Sequence, residues 1–95
     1  MSGLTYSILS HLGLPEKTEE EMDYEKLFLF ILPRVKELLD RDLSGLLNVL
    51  YRLDVSEEKF KEVLAKGNPE HLSEEVSQLI VDREKVRLYY RKKYS

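Results

Sequence analysis

The sequence predicts an all-α protein that folds as a compact bundle of four to six helices, in one domain over residues 1–95. Its 95 residues are enough for one domain. Hydrophobic residues make up 42% and charged residues 35% of the chain, a balance typical of amphipathic helices. The seven Val, three Ile and two Thr are scattered rather than alternating, which disfavours a β-sheet.

The first predicted helix lies between Leu4 and Leu12. Leu4, Ile8 and Leu12 recur every four residues, so they lie on one helical face. Gly13 suits the left-handed position after a helix, and Pro15 prevents any continuation.

An acidic connector, residues 14–22, is predicted to follow. Thr18 and Glu21 have the spacing of a capping box. The second helix is therefore expected to begin at Glu19 or at Asp23.

The second helix is predicted to extend to Leu39, with Pro33 kinking it or splitting it in two near Leu32. A short apolar run can also be a strand, so a strand over Leu27–Leu32 is the alternative. Three residues lie off the predicted buried stripe and make the middle of the helix apolar all round: Leu29, Phe30 and Leu32. The stripe itself consists of Tyr24, Leu27, Phe28, Ile31, Val35, Leu38 and Leu39.

Asp42 and Ser56 are the predicted N-caps of a third helix, 43–53, and a fourth helix that ends at Gly67. The inward face of the third is expected to be Leu43, Leu46, Leu47, Leu50 and Tyr51, and that of the fourth Phe60, Val63 and Leu64.

The last helix is expected to begin near Pro69 or Ser73 and to end near Tyr90, before a basic tail at residues 91–95. Its predicted buried stripe follows a four-three spacing: Leu72, Val76, Leu79, Arg83, Val86 and Tyr90. Arg83 on that stripe requires a carboxylate partner or a side chain that bends out to solvent.

Two blocks, LLNVLYRLDVSEEKFKEVL from Leu46 to Leu64 and QLIVDREKVRLYYRKKYS from Gln78 to Ser95, resemble segments of small uncharacterised bacterial helical proteins. The resemblance covers roughly the last half of the chain. It implies a compact helical fold and a bacterial origin, and it carries no catalytic residue.

No motif predicts an enzyme, a cofactor or a metal site. The chain has no cysteine, and neither His11 nor His71 has a second ligand at a metal-binding spacing. Gly-rich phosphate loops are absent. The adjacent acids are expected to lie on solvated helix faces: Glu74, Glu75, Asp82 and Glu84.

Charge is divided unevenly along the chain, whose net charge is −3. Residues 16–25 hold six acids and one base, a local charge of −5. Residues 83–95 hold six bases and one acid, a local charge of +5. Three interpretations of the basic end are open. The bases complement the dipole at the helix C-terminus, or they form a contact surface for phosphate or for an acidic protein. The third is that the acidic connector docks on the basic last helix, within one chain or between two.

These features favour a non-enzymatic protein–protein interaction module that self-associates as a homodimer. The predicted interaction surface comprises Phe28, Leu29, Phe30, Leu32, Arg87, Arg91 and Lys92. One alternative is a nucleic-acid-binding accessory protein that uses the basic, Tyr-bearing last helix, although a pI near 5.4 disfavours it. The second alternative is a small enzyme with an unrecognised site.

No membrane association is expected, because the longest apolar run, 27–32, is six residues and a bilayer requires roughly 20. Residues 1–14 contain no Lys or Arg and make a poor signal peptide. A cytoplasmic location is the resulting prediction.

Overall fold

Five α-helices follow one another in the computed structural model, which describes residues 5–68 and 70–94. They are α1 (Ser7–His11), α2 (Tyr24–Arg41), α3 (Leu43–Arg52), α4 (Glu57–Lys66) and α5 (Leu72–Tyr94). Over these described ranges β-structure is limited to one isolated antiparallel bridge between Thr5 and Thr18. The all-α prediction is confirmed; the predicted starts at Leu4 and Pro69 lie outside the described residues.

Side-chain caps set the starts of the three middle helices. Asp23 accepts a hydrogen bond from the Lys26 backbone N–H at 2.8 Å, and Asp42 accepts one from Gly45 at 2.9 Å. Ser56 caps α4 in the same way, and Gly67 ends α4 in the left-handed conformation. The predicted caps at Asp42 and Ser56 and the predicted stop at Gly67 are confirmed.

The capping-box pair Thr18 and Glu21 closes a turn rather than a helix. The Thr18 N–H donates to Glu21 Oε2 at 3.4 Å, and the chain turns over residues 19–21. Helix α2 then begins after Asp23, the later of the two predicted starts.

Helix α2 continues without interruption through Pro33, so the predicted split near Leu32 is wrong. The ring lies on the exposed side of the helix. The hydrogen bond that proline cannot donate is therefore lost where water can replace it. The alternative of a strand over Leu27–Leu32 is also wrong, and the inward positions are Leu27, Ile31, Val35 and Leu38.

The most extensive helix pairing joins α2 and α5; α3 packs mainly on α2, and α4 mainly on α5. Within the described ranges, no helix combines the length and apolar character that crossing a membrane requires.

The buried face of α5 differs from the predicted stripe. Val86 and Tyr90 are exposed, whereas Glu84 is 1% exposed and belongs to the core. Serine and glutamate occupy three of the seven buried positions, so the apolar pattern did not reveal this face. Those positions are Ser73, Val76, Ser77, Ile80, Val81, Glu84 and Leu88.

Only one side of α3 is buried, which corrects the prediction of a five-residue inward face. Leu46 and Leu50 lie in the core, and the other three residues are exposed. Leu64 of α4, also predicted to face inward, is exposed as well. Helices α3 and α4 pack mainly on different helices, α3 on α2 and α4 on α5, and neither of these packings buries the exposed leucines.

Candidate interaction surfaces

A buried carboxylate joins α5 to the N-terminal segment. Glu84 Oε1 accepts a hydrogen bond from Arg87 Nε at 2.6 Å, and Glu84 Oε2 accepts one from the Ile8 backbone N–H at 3.4 Å. Arg87 Nη2 also donates to the Thr5 carbonyl at 2.8 Å. Tyr6 at the N-cap of α1 makes no side-chain cap, so Glu84 supplies it from another helix.

The prediction that Glu84 lies on a solvated face is therefore wrong. The Ile8 amide that donates to Glu84 is 76 positions away in sequence, and no local pattern points to this contact. We call the contacts of Glu84 and Arg87 with residues 5–8 the N-terminal junction.

Two tyrosines reinforce the N-terminal junction. The Tyr6 hydroxyl donates to the Met22 carbonyl at 2.8 Å. This hydrogen bond links the start of α1 to the residue that precedes the N-cap of α2. The Tyr6 ring meets the Tyr24 ring edge-on at 6.1 Å, and Lys85 Nζ lies 5.3 Å from the centre of the Tyr24 ring. Burial, together with the neighbouring Tyr24 and Glu19, raises the pKa of Tyr6 to about 12. Burial also raises the pKa of Tyr24.

The acidic connector contacts the basic end of α5 within the same chain, one of the two arrangements expected. Lys92 Nζ lies 2.5 Å from Glu19 Oε1, and this hydrogen bond raises the pKa of Lys92. Lys92 and Arg87, two residues of the predicted interaction surface, therefore already have partners inside the molecule.

Arg83 has the carboxylate partner that its position required. Its Nε donates to the Leu53 carbonyl at 3.2 Å, and its Nη2 lies 3.7 Å from Asp54 Oδ2. The half-exposed guanidinium thus holds the α3–α4 loop against α5.

The apolar part of the predicted interaction surface is mostly half-buried. Phe28 and Phe30 are half-buried against the core, and Leu32 is half-buried as well. Leu29 is the one member of this group with a largely exposed side chain, at 60%.

The last six described residues, 89–94, form an exposed aromatic and basic end of α5, which we call the α5 tip. Tyr90 stacks on Tyr94 with ring centres 6.1 Å apart, and Tyr89 meets Tyr90 edge-on at 5.3 Å. Lys93 Nζ lies 5.8 Å from the centres of both the Tyr89 and Tyr94 rings. The predicted basic tail is thus helical as far as Tyr94.

Exposed apolar side chains gather on the flank where α3 and α4 adjoin. Leu43, Leu47 and Tyr51 repeat every four residues along α3, and Leu64 lies on α4. Their exposed fractions are 48%, 43%, 84% and 45%. We call these four residues the leucine face.

Two recesses border the leucine face. The larger one, of about 430 Å³, is the groove; it is lined by Leu39, Leu43, Leu64 and Leu72, with Lys36, Asp40, Glu70 and Ser73 at its polar positions. The second, of about 350 Å³, is lined by Leu47, Leu50, Tyr51, Val55, Glu57 and Phe60.

The sequence did carry a signal for the leucine face. The five residues of α3 predicted to face inward cover about 140° of its circumference at 100° per residue, a wide arc for a ten-residue helix with one main partner. Part of such an arc must stay exposed or meet another molecule.

A third, polar recess of about 300 Å³ lies between α1, α2 and α3. Its lining includes His11, Arg34 and Asp42. Arg34 Nε donates to the Leu12 carbonyl at 2.8 Å and the same side chain pairs with Glu37, while Asp42 caps α3. Arg34 therefore links α2 to the C-terminal end of α1.

His71 is exposed, with Nδ1 lying 3.3 Å from Glu74 Oε2. Across residues 5–68 and 70–94, no three His, Asp or Glu side chains are grouped so that they could hold a metal ion. Comparison with protein-family models, curated proteins and solved structures gives no match.

Proposed function

We propose that this chain is a non-catalytic protein–protein interaction module that self-associates through the leucine face. The observation that carries the proposal is the grouping of Leu43, Leu47, Tyr51 and Leu64 at the surface, beside two largely apolar recesses. Grouped apolar side chains of this kind mark interaction sites, whereas single exposed ones are ordinary.

The size of this surface indicates a modest affinity. Covering the exposed parts of four such side chains contributes about 4 kcal/mol, at roughly 1 kcal/mol each. Loss of translational and rotational freedom costs about 4 kcal/mol or more. The recess linings must therefore be covered too, and we expect self-association to depend on concentration.

Leu29 offers a matched control because it is also an exposed leucine on a helix, but it lies outside the leucine face. Leu29→Glu and Leu43→Glu each place one carboxylate on an exposed helical position. A difference between the two variants therefore reports the location of the interface rather than the added charge.

The test is molar mass by light scattering over a concentration series up to about 1 mM. A complex with a binding free energy of only about 4 kcal/mol has a Kd of about 1 mM, so it is detected at the upper end of this series. We expect the mass of the unmodified chain and of Leu29→Glu to rise with concentration, and Leu43→Glu to remain monomeric. A monomer throughout the series contradicts self-association. Loss of assembly in Leu29→Glu alone places the interface on α2 instead.

The second candidate function is binding of single-stranded nucleic acid by the α5 tip. Exposed Tyr90 and Tyr94 beside Lys93 suit base stacking and phosphate contact. The net charge of −3 and the neighbouring Glu19 oppose it. Titration with a labelled oligonucleotide at low and high salt separates the candidates, because phosphate binding weakens steeply with salt.

A further inference from the structure

The groove beside the leucine face combines an apolar floor with an acidic rim. Four leucines line it, and its ionised side chains are Asp40, Glu70 and Lys36, a net charge of −1. Among the residues that the structure describes, neither Asp40 nor Glu70 has an ion-pair partner. The groove therefore presents unpaired negative charge around a site for apolar groups.

The α5 tip has the opposite character. It holds three bases and no acid, a charge of +3, together with three exposed tyrosines. Arg91 has no ion-pair partner in the described part of the chain, and Lys93 lies over tyrosine rings. Tyr and Arg are, together with Trp, the residue types enriched at the energetic centres of protein interfaces.

We infer that the groove of one copy binds the α5 tip of a second copy, so that the chain assembles head to tail. This inference rests on the proposed self-association and names its two contacting surfaces. Tyrosine rings cover the leucines of the groove, while Arg91 and Lys93 face Asp40 and Glu70. The ionic contacts orient the complex, and burial of the rings supplies most of the affinity.

The tip cannot fill the groove of its own chain. Leu72 and Ser73 in the first turn of α5 line the groove, whereas the tip is the last part of the same helix. Eighteen residues separate Leu72 from Tyr90, a distance of about 27 Å along a rigid helix. The occupant must therefore come from another copy.

Head-to-tail contact joins two different surfaces, so each added copy leaves one free groove and one free tip. The assembly consequently grows beyond a dimer with concentration. Symmetrical pairing of two leucine faces, in contrast, stops at the dimer because each copy uses the same surface.

A mixing experiment tests the inference. The groove variant carries Leu43→Glu and Leu64→Glu and keeps its tip, and the tip variant carries Arg91→Ser and Tyr94→Ala and keeps its groove. Each variant alone is expected to be monomeric at concentrations where the unmodified chain assembles. An equimolar mixture is expected to form a 1:1 complex that grows no further, seen as a doubled molar mass in light scattering.

All four substituted side chains are exposed, and circular dichroism confirms that each variant remains helical. A charge exchange provides a second test: Glu70→Lys and Arg91→Glu each weaken assembly about tenfold, and mixing these two variants restores it. Raising the salt concentration is expected to weaken assembly of the unmodified chain, since the rim charges are exposed.

The outcomes separate the two proposals. If the tip variant assembles like the unmodified chain, or the mixture stays monomeric while the unmodified chain assembles, the head-to-tail inference is overturned and self-association stands. If the unmodified chain is monomeric at every concentration, both proposals fall.

Discussion

The N-terminal junction and the leucine face depart from the usual distribution of polar and apolar groups in opposite directions. At the junction, the Glu84 carboxylate is inside the protein, where it meets Arg87 and the Ile8 amide. On the leucine face, Leu43 and Leu47 are 48% and 43% exposed, although they are apolar. The junction is completed by contacts within the chain, whereas the leucine face lacks them, and this difference directs the search for a partner to α3 and α4.

The largest expected effect comes from removing the buried Glu84 carboxylate of the N-terminal junction. Glu84→Ala leaves the half-buried Arg87 and the first-turn amide of α1 without their acceptor. Loss of one member of a buried ion pair costs about 3–5 kcal/mol. We expect the free energy of unfolding, measured with urea, to fall by about that amount.

Asp82→Ala is the matched control, because Asp82 is an exposed acid on the same helix. Its contacts with Gln78 and Lys85 lie at the surface, where such pairs contribute about 0–1 kcal/mol. If the two variants lose the same free energy of unfolding, the burial of Glu84 does not contribute to stability.

An intermediate loss of stability is expected when the Tyr6 hydroxyl of the N-terminal junction is removed. Tyr6→Phe keeps the ring but removes the hydrogen bond to the Met22 carbonyl. A bond of this kind contributes about 1 kcal/mol. Thermal or urea unfolding near neutral pH should show that loss, and Tyr51→Phe, at the most exposed tyrosine, should show none.

The raised pKa of the Tyr6 hydroxyl predicts how the stability of the folded protein changes at alkaline pH. The folded protein raises the pKa of Tyr6 from 10.0 to about 12, so the unfolded chain releases this proton at a lower pH. The stabilisation is complete below the unfolded pKa and is lost as pH rises towards the folded value. Between about pH 10 and about pH 12, Tyr6→Phe should therefore lose less stability than the unmodified chain. An identical loss in both proteins contradicts this role of Tyr6.

The smallest effect is expected on the leucine face. Leu47→Ser at a concentration where the protein is monomeric should change the free energy of unfolding by no more than about 0.5 kcal/mol, as surface substitutions do. The same variant should nevertheless assemble less. A loss above about 2 kcal/mol in the monomer would identify Leu47 as a core residue and end the contrast between the two regions.

Helix boundaries followed from the sequence because their determinants are local. Asp42, Ser56 and Gly67 act on backbone groups within a few residues of themselves. Which side chains are buried was harder to predict from the sequence, because burial depends on contacts between helices. From the sequence, Glu84 has the pattern of a surface acid, and only its contact with α1 shows that it is buried. The exposure of the α3 leucines likewise depends on α3 packing mainly on α2 while α4 packs mainly on α5.

The residues of the predicted interaction surface differ in how far they are exposed. The basic, tyrosine-bearing end of the last helix is exposed, as its composition indicated, and Arg91 belongs to it. Phe28 and Phe30 are half-buried because α2 has helices on more than one side. Periodicity ranks the residues around one helix, but it does not say how many neighbours that helix has.

Helix α1 also sets an order of events during synthesis of the chain. Its five residues are far fewer than the roughly 12–15 that a helix needs to persist alone in water. The cap on its first turn comes from Glu84, 76 positions further along the chain. Residues 7–11 therefore leave the ribosome well before the side chain that holds them, and they take their final shape only after α5 has been made.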